Sequence, residues 1–241
     1  MKQGITLFLS VFIVLFSILC SSCKDIVFDN PLDPNASKGV VQVIRVIDTP
    51  LVGRGDIAFD GEKFWKASPS SDLSAFDRES GIVIRSFPGV PGTGVALFNH
   101  LLYVCNGEVE NILYVVDPLS GDIFNRISTR DIYPGYITTS GDKLLVFDIR
   151  SYGIFEYNTE TGQSTRLFAL PGLQLGGITR YKSDLLITDM STDSIYQLSM
   201  TGDIKKVFSS PVQGIGGIGV DNSDYVYLFI TNGKVYKVTL P

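Results

Sequence analysis

The sequence is poor in the residues from which most metal and nucleophilic centres are built. Its 241 residues include one histidine and three cysteines. Two of the cysteines, Cys20 and Cys23, lie within the first 25 residues, so Cys105 stands alone in the rest of the chain. A disulfide framework is therefore excluded there. The single histidine, His100, has no second histidine to join it as a metal ligand, and we interpret it as a turn residue.

The chain also lacks a basic stripe and, after its first 23 residues, any apolar run long enough to span a membrane. Acidic and basic residues are scattered singly, and the formal net charge is −5. Because binding to phosphates depends on clustered lysine and arginine, a nucleic-acid partner is not expected. The remaining 200 or so residues are enough for one soluble domain with a single core.

The N-terminus has the layout of an export signal. Lys2 precedes an apolar run from Ile5 to Cys20, which is short for a membrane span and suits the hydrophobic region of a signal peptide. A spacer rich in proline, asparagine and aspartate follows it, "KDIVFDNPLDPNAS". We therefore expect an exported protein.

The end of this segment, "LCSSC", resembles a bacterial lipoprotein signal. The resemblance implies that residues 1–22 are a signal peptide, that Cys23 carries the lipid, and that residues 23–38 form the lipidated cysteine and an extended linker. Cys20 departs from the aliphatic residue usual at its position, so an ordinary secretory signal cut nearby is the alternative. The lipid would tether the protein to a membrane of the cell envelope, with the outer membrane or cell surface favoured.

A turn motif recurs along the rest of the chain. Its form is D/N-x-x-x-G in "DRESG", "DPLSG" and "NTETG", and it is shortened in "SMTG". Together with Gly39 of "NASKG", the glycines stand at positions 39, 81, 121, 162 and 202. The chain therefore repeats with a period near 40 residues.

Each repeat has the same order of segments. The turn is followed by a strand that ends in a bulky apolar residue, then by a loop rich in proline and glycine, a short strand beginning with glycine, and two more strands. Four short strands per 40 residues are typical of a β-propeller blade. The fold class predicted is all-β, a five-bladed propeller over residues 39–241.

The strand at the N-terminus of this domain completes the ring. The last repeat has three strands after Gly217 but no fourth, whereas residues 40–47 read as a fourth strand without a preceding blade. We therefore predict that they pair with residues 234–240, within C-terminal strands at about 225–240, which leaves only short edges in the ring. Small residues follow the first apolar residue of each inner strand and are predicted to line the axis: Ala58, Ala96, Thr138, Thr179 and Gly219.

The repeats "AFDGEKFWKASPSSDLSAFDRESGIVIRSF" and "GGITRYKSDLLITDMSTDSIYQLSMTGDIKKVF" resemble the NHL, YVTN and SMP-30-type propeller repeats of exported bacterial proteins. The resemblance covers residues 39–241. It implies the fold, whereas the families concerned include lactonases, lyases, cyclotransferases and binding modules. The opening motif of five-bladed glutamine cyclotransferases is absent, and "RGDIAFDG" stands in its place.

The loops that join fourth strands to inner strands, and second strands to third strands, share one face of such a propeller. Recognition residues concentrate on loops held by a rigid scaffold. The candidate ligand-face residues are Arg54, Asp56, Asn106, Arg130, Tyr136, Asp148, Arg150, Tyr152 and Asp189.

Asp148 and Asp189 occupy matching places at the ends of second strands. Lactonases similar to SMP-30 hold a divalent metal with carboxylate and amide side chains, so these two residues are the candidates for a weak calcium site. The alternative is that each carboxylate caps its own turn. No other cofactor is predicted.

Two residues in the strands need a separate interpretation. Cys105 lies in the apolar strand "LYVCNG" and is expected to be a small buried side chain. Lys66 stands where the other blades have valine or isoleucine, so its ammonium is expected to reach solvent or an acid, with Asp56 and Asp72 as candidates.

The function predicted is that of an anchored binding or protein-interaction module that uses its loop-rich face, as a monomeric domain with a protein or glycan partner. The alternative is a metal-dependent hydrolase or lyase, similar to a lactonase, with its site at the channel mouth.

Overall fold

A computed structural model describes residues 38–69 and 72–241. Cys23, the predicted signal peptide and nearly all of the predicted linker lie outside these residues. The described residues form 21 strands. They contain no helix long and apolar enough to cross a bilayer.

The strands form five antiparallel four-stranded units, which are the blades of a five-bladed β-propeller. The chain begins with β1 (Gly39–Val40) and β2 (Gln42–Asp48). Blade 1 contains β3 (Ile57–Phe59), β4 (Phe64–Lys66), β5 (Leu73–Phe76) and β6 (Val83–Phe87). Blade 2 contains β7 (Gly94–Phe98), β8 (Leu101–Cys105), β9 (Ile112–Val116) and β10 (Ile123–Ser128). Blade 3 contains β11 (Pro134–Ser140), β12 (Lys143–Asp148), β13 (Gly153–Tyr157) and β14 (Ser164–Ala169). Blade 4 contains β15 (Leu175–Tyr181), β16 (Asp184–Asp189), β17 (Ser194–Leu198) and β18 (Ile204–Ser209). Blade 5 contains β19 (Ile215–Val220), β20 (Val226–Ile230) and β21 (Lys234–Thr239), with β2 as its fourth strand.

The predicted ring closure is confirmed. Strand β2 pairs antiparallel with β21, with Gln42 opposite Thr239 and Ile47 opposite Val235. Strand β1, which the sequence placed within the same strand, instead pairs in parallel with β18 of blade 4. The N-terminal segment therefore joins the last two blades.

The repeated turns have the chemistry that their sequence predicts. Asp77 Oδ1 accepts hydrogen bonds from the backbone N–H groups of Glu79 and Ser80, at 3.1 and 2.7 Å, and Asn158 Oδ1 does the same in blade 3. The glycines that close these turns all have positive φ, between 69° and 91° at Gly81, Gly121, Gly162 and Gly202. Glycine adopts this conformation without steric cost.

Each outer strand carries a β-bulge. The extra residues are Ile44, Ile84, Phe124, Leu167 and Lys205. A bulge twists an edge strand and interrupts its hydrogen-bonding row, which discourages pairing with another chain. The outer strands of all five blades are therefore irregular, and part of the edge of β18 is also covered by β1.

The apolar core is divided among the seams between neighbouring blades. One cluster of buried side chains joins blades 3 and 4 and includes Leu145 and Leu185, and a second joins blades 5 and 1 and includes Tyr227 and Phe64. The other three seams contain clusters of the same kind. Burial of apolar surface thus stabilises each blade only against its neighbours, which makes closure of the ring essential.

Candidate functional site

The loops between fourth and inner strands and between second and third strands lie together and form the loop-rich face. The tight turns between first and second strands and between third and fourth strands form the opposite side, the turn face. His100 lies there, exposed, in a two-residue turn with Asn99, and both residues have positive φ (64° and 50°). The turn interpretation of His100 is confirmed.

Asp56 fills the axis of the propeller where the inner strands begin. Its side chain is fully buried, and its carboxylate accepts backbone hydrogen bonds of 2.9 Å from Ile57, Ile178 and Ile218. These three donors belong to blades 1, 4 and 5. A side chain that the sequence offered as a ligand contact therefore connects three blades.

Thr93 extends this connection to the remaining two blades. The Asp56 N–H donates to the Thr93 carbonyl oxygen at 2.8 Å, and the Thr93 hydroxyl donates to the Gly135 carbonyl oxygen at 2.6 Å. Blades 1, 2 and 3 are joined in this way. The inner edges of the innermost strands have no further strand to pair with, so these contacts satisfy groups that would otherwise be buried without partners.

The inner strands approach each other too closely at this level for side chains. A Cβ on Gly177 would lie 2.2 Å from Asp56 Oδ1, and one on Gly94 would lie 2.7 Å from Tyr136 Cα. Both glycines are thus required by close approach rather than by flexibility. The axis at the loop-rich face is therefore closed by Asp56 and by backbone.

The electrostatics of Asp56 follow from its burial. Desolvation raises the pKa of its carboxyl well above the ordinary value, and the three backbone donors offset part of this effect. The same charge lies close enough to Cys105 and Tyr136 to raise the pKa of both, although burial is the larger cause in each case.

A cavity of about 140 Å³ occupies the axis on the side of the turn face. Four of the five small residues predicted at the axis line it, namely Ala58, Ala96, Thr138 and Thr179. At the fifth position, a Cβ on Gly219 would lie 2.7 Å from the Phe64 ring, so this glycine permits packing between blades 5 and 1.

Lys66 has different partners from those expected. Its ammonium donates to the carbonyl oxygens of Arg54, at 3.1 Å, and Ala67, at 3.2 Å, and lies 4.8 Å from the centre of the Phe229 ring. No carboxylate among the described residues is within 4.0 Å of it. Burial lowers its pKa to about 8. Lys66 therefore fixes the loop before Asp56 through backbone carbonyls.

Cys105, Asn106 and Tyr136 are buried near the axis, with exposed fractions of 0, 2 and 6%. The expectation for Cys105 is confirmed, and its raised pKa removes thiolate character. Asn106 Oδ1 has no hydrogen-bond partner among the described residues. Glu108 and Arg54 are near enough to Tyr136 to act on its phenol in opposite directions, the first raising and the second lowering its pKa.

Asp148 and Asp189 make nearly identical contacts in neighbouring blades. Each accepts a backbone hydrogen bond of 3.0 Å from the loop before its own blade, from Tyr133 and Gln174 respectively. Asp148 also binds the backbone and hydroxyl of Ser151, and Asp189 makes the same two contacts to Ser191. Both carboxylates thus hold two loops of the loop-rich face together.

The metal expectation rests on these two aspartates. Within residues 38–69 and 72–241, no group of three or more histidine, cysteine, aspartate or glutamate side chains is placed to hold an ion. A calcium site at Asp148 or Asp189 stays a prediction, and an ion there would have to share carboxylates that already accept several hydrogen bonds.

The exposed candidates are Arg54, Arg130, Arg150 and Tyr152. The Arg150 guanidinium lies over the Tyr133 ring, 3.2 Å from its centre. Tyr152 is 43% exposed and packs edge-on against Phe147, whose ring in turn contacts Tyr136 at 6.3 Å between centres. We call Arg150, Tyr133 and Tyr152, which belong to the two loops of blade 3 on this face, the blade 3 cluster; in it the cation is already stacked on one aromatic ring.

Comparison with known proteins gives the fold and nothing finer. No protein-family model matches the chain, and no curated protein matches it. Among solved structures, the chain is similar to the glutaminyl cyclase of Myxococcus xanthus, with a TM-score of 0.67 at 13% identity over 84% of this chain and 97% of that one.

Two lyases show weaker similarity. Streptogramin B lyase has a TM-score of 0.49 at 14% identity over 80% of this chain and 67% of that chain. Virginiamycin B lyase from Staphylococcus aureus has a TM-score of 0.48 at 17% identity over 79% and 66%. The likeness is one of fold. At these identities it carries no activity across to this chain.

Sequence reasoning missed Thr93 as part of this face. Thr93 stands in a loop of ordinary composition, "GVPGTG", and its role depends on a carbonyl group in the next blade. The stacking of Arg150 on Tyr133 is also not predictable from the local sequence, because it joins residues 17 positions apart.

Proposed function

We propose that this protein is an exported bacterial lipoprotein whose propeller binds a protein or glycan partner through its loop-rich face. The observation that carries the proposal is the blade 3 cluster, where an exposed arginine is already stacked on a tyrosine. Arginine and tyrosine are enriched among the residues that dominate binding energy at interfaces. A side chain held in place before binding loses less entropy when the partner arrives.

The axis at this face favours surface recognition over chemistry on a small substrate. Asp56 and the surrounding backbone occupy the position where a channel mouth would admit a substrate, and Asp148 and Asp189 are engaged in holding loops. The metal-dependent hydrolase or lyase remains the alternative, and it requires an ion to compete for one of these carboxylates.

Partner recognition is tested by purification of the tagged full chain from detergent-solubilised membranes, followed by quantitative mass spectrometry and glycan analysis. We expect a partner that is reduced at least tenfold by Arg150→Glu. The matched control is Lys182→Glu, because Lys182 is also a cation over a tyrosine ring, 4.9 Å from the centre of Tyr181, but lies on the turn face. Equal recovery of the partner with both variants would contradict the proposal.

The lipid anchor is tested separately by metabolic labelling with an alkyne-bearing fatty acid. The wild-type chain should take up the label and remain with the membrane fraction, and Cys23→Ser should lose both properties because it lacks the acylated thiol. Absence of label in the wild type, or its retention in Cys23→Ser, would contradict the anchor without affecting the proposal for the loop-rich face.

A further inference from the structure

A groove of about 560 Å³ lies between blades 1 and 2 on the turn face, away from the loop-rich face. Its lining includes Asp60, Lys63, Ile84, Leu97, His100 and Leu119. It combines apolar side chains with charged groups of both signs. A volume of this size lies within the range of protein binding pockets.

Leu119 sets blade 2 apart from its sister blades. It stands at the tip of the turn "DPLSG", where the corresponding turns of blades 1 and 3 carry Glu79 and Glu160. The turn itself does not require leucine, because its conformation is set by Asp117, which accepts the Leu119 N–H at 2.7 Å, and by Gly121. Leu119 is 78% exposed. An apolar side chain here costs solubility and contributes nothing to the turn.

A neighbouring arginine, Arg85, contacts the backbone of this turn instead of a carboxylate. In blade 5, Arg45 of the outer strand reaches the turn of blade 1 and pairs with Glu79 at 2.8 Å. Arg85 holds the equivalent position in blade 1 and finds no carboxylate at residue 119. Its guanidinium instead donates to the backbone carbonyl oxygens of Pro118, at 2.9 Å, and Leu119. The Arg85 guanidinium thus fixes the position of the turn that carries Leu119 through hydrogen bonds to its backbone.

Further apolar side chains are exposed on and beside the outer strands of blades 1 and 2. The bulged residues Ile84 and Phe124 are 55 and 63% exposed, and Ile82 is 66% exposed. A second cavity, of about 340 Å³, is lined by residues 123–126 around Phe124. Exposed apolar side chains in the groove and on the outer strands of both flanking blades favour a macromolecular partner over a small ligand.

The charged side chains of the groove indicate which charge a ligand should carry. Lys63 is engaged by Asp60 at 2.8 Å, and Arg85 by backbone carbonyls, so neither cation is free for a ligand. Glu62 is 87% exposed at the side chain, and its one ion-pair partner among the described residues is Lys63, at 3.6 Å, which lies closer to Asp60. The groove therefore offers an apolar floor next to a carboxylate. A flat, anionic lipid surface would neither fill this recess nor favour Glu62.

We propose that the groove docks a segment of a partner protein that presents a bulky apolar side chain next to a basic one. The apolar side chain packs against Ile84, Leu97 and Leu119, and the basic side chain pairs with Glu62. This site is separate from the loop-rich face and does not depend on the function proposed for it.

The test begins with benzoylphenylalanine, a photo-crosslinking residue, in place of Leu119 in the full chain in its own cells. The control carries the same residue in place of Glu160, at the sister turn of blade 3. We expect a crosslinked protein from position 119 alone, mapped by mass spectrometry to a segment with an apolar residue beside a lysine or arginine. Equal crosslinking from both positions, crosslinking only to lipid or to a second copy of this chain, or no crosslink would overturn the proposal.

The mapped segment is then synthesised as a fluorescent peptide and titrated with purified full chain. Leu119→Glu should weaken binding at least tenfold while leaving the melting temperature unchanged, because Arg85 gains the carboxylate partner that Arg45 already has. Glu62→Lys should weaken binding to this peptide and restore it to a peptide whose basic residue is replaced by glutamate. Binding that both variants leave unchanged would overturn the proposal.

Discussion

At the scale of single residues, Asp56 is the side chain that decides what the axis of this molecule can do. Its carboxylate accepts backbone hydrogen bonds from three blades, and its own N–H donates to the loop that leads into a fourth. The side chain lies where a substrate channel would otherwise open. Buried carboxylates with perturbed pKa values often mark active sites. Here every hydrogen bond of the carboxylate goes to the protein backbone, which favours a structural role.

The raised pKa of Asp56 predicts how stability depends on pH. Between the ordinary carboxyl pKa, about 4, and the raised pKa of the folded state, the native protein binds more protons than the unfolded chain. The contribution of Asp56 to stability therefore falls as pH rises through this interval. Asp56→Asn should remove this dependence, while it leaves the Ile178 N–H facing an amide NH₂ at a cost of about 1–3 kcal/mol.

Urea unfolding of both proteins at pH 5 and pH 8 measures this effect, and the stability of Asp56→Asn relative to the wild type should improve at the higher pH. Asp77→Asn is the matched control, since its carboxyl caps a turn in which asparagine serves equally well in blade 3, and its pKa is lowered by hydrogen bonds to Ser80. Identical pH profiles for the wild type and Asp56→Asn would contradict the assignment.

At the scale of strands and turns, the repeat predicts most of what the structure contains. The D/N-x-x-x-G turns, the four strands per period and the missing fourth strand of blade 5 follow from local chemistry that each repeat expresses independently. The pairing of β1 with β18 and the bulge in every outer strand do not follow. Both depend on the twist and position of a neighbouring strand. The pattern of apolar and polar residues in the outer strands does not mark where a bulge occurs.

Closure of the ring by β2 gives a prediction at this scale. Ile47 is 3% exposed, pairs with Val235, and lies against the turn glycine Gly81 of blade 1. Ile47→Asp would bury an unpaired charge at the closing seam and should destabilise the protein by more than about 3 kcal/mol in urea unfolding. Val46→Asp is the control, because Val46 is 43% exposed on the same strand and its replacement should cost less than about 1 kcal/mol.

Comparable losses for these two variants would mean that β2 does not close the ring by burial at Ile47. A loss confined to Ile47→Asp would support closure of the propeller through its N-terminal strand.

At the scale of the whole molecule, the sequence predicted the architecture and the location of the loop-rich face. It did not predict the side-chain contacts within that face. The choice of Asp148 and Asp189 as a matched pair came from their shared place at strand ends, and the structure shows that what they share is the bridging of two loops. The role of Asp56 was not predictable from local pattern, since its partners Ile178 and Ile218 lie 122 and 162 residues away. The role of each of these aspartates depends on groups that are distant in sequence and that closure of the ring brings into contact.

Whether the loop-rich face recognises a partner or holds a catalytic metal is tested most directly by the melting temperature of the full chain in EDTA and after addition of calcium, magnesium, manganese or zinc. An ion that binds only the folded state raises this temperature. We predict no change with any of the four ions, because the carboxylates of Asp148 and Asp189 are engaged in holding loops. A clear rise with one ion that Asp148→Asn or Asp189→Asn abolishes would contradict the binding function and favour the metal-dependent enzyme.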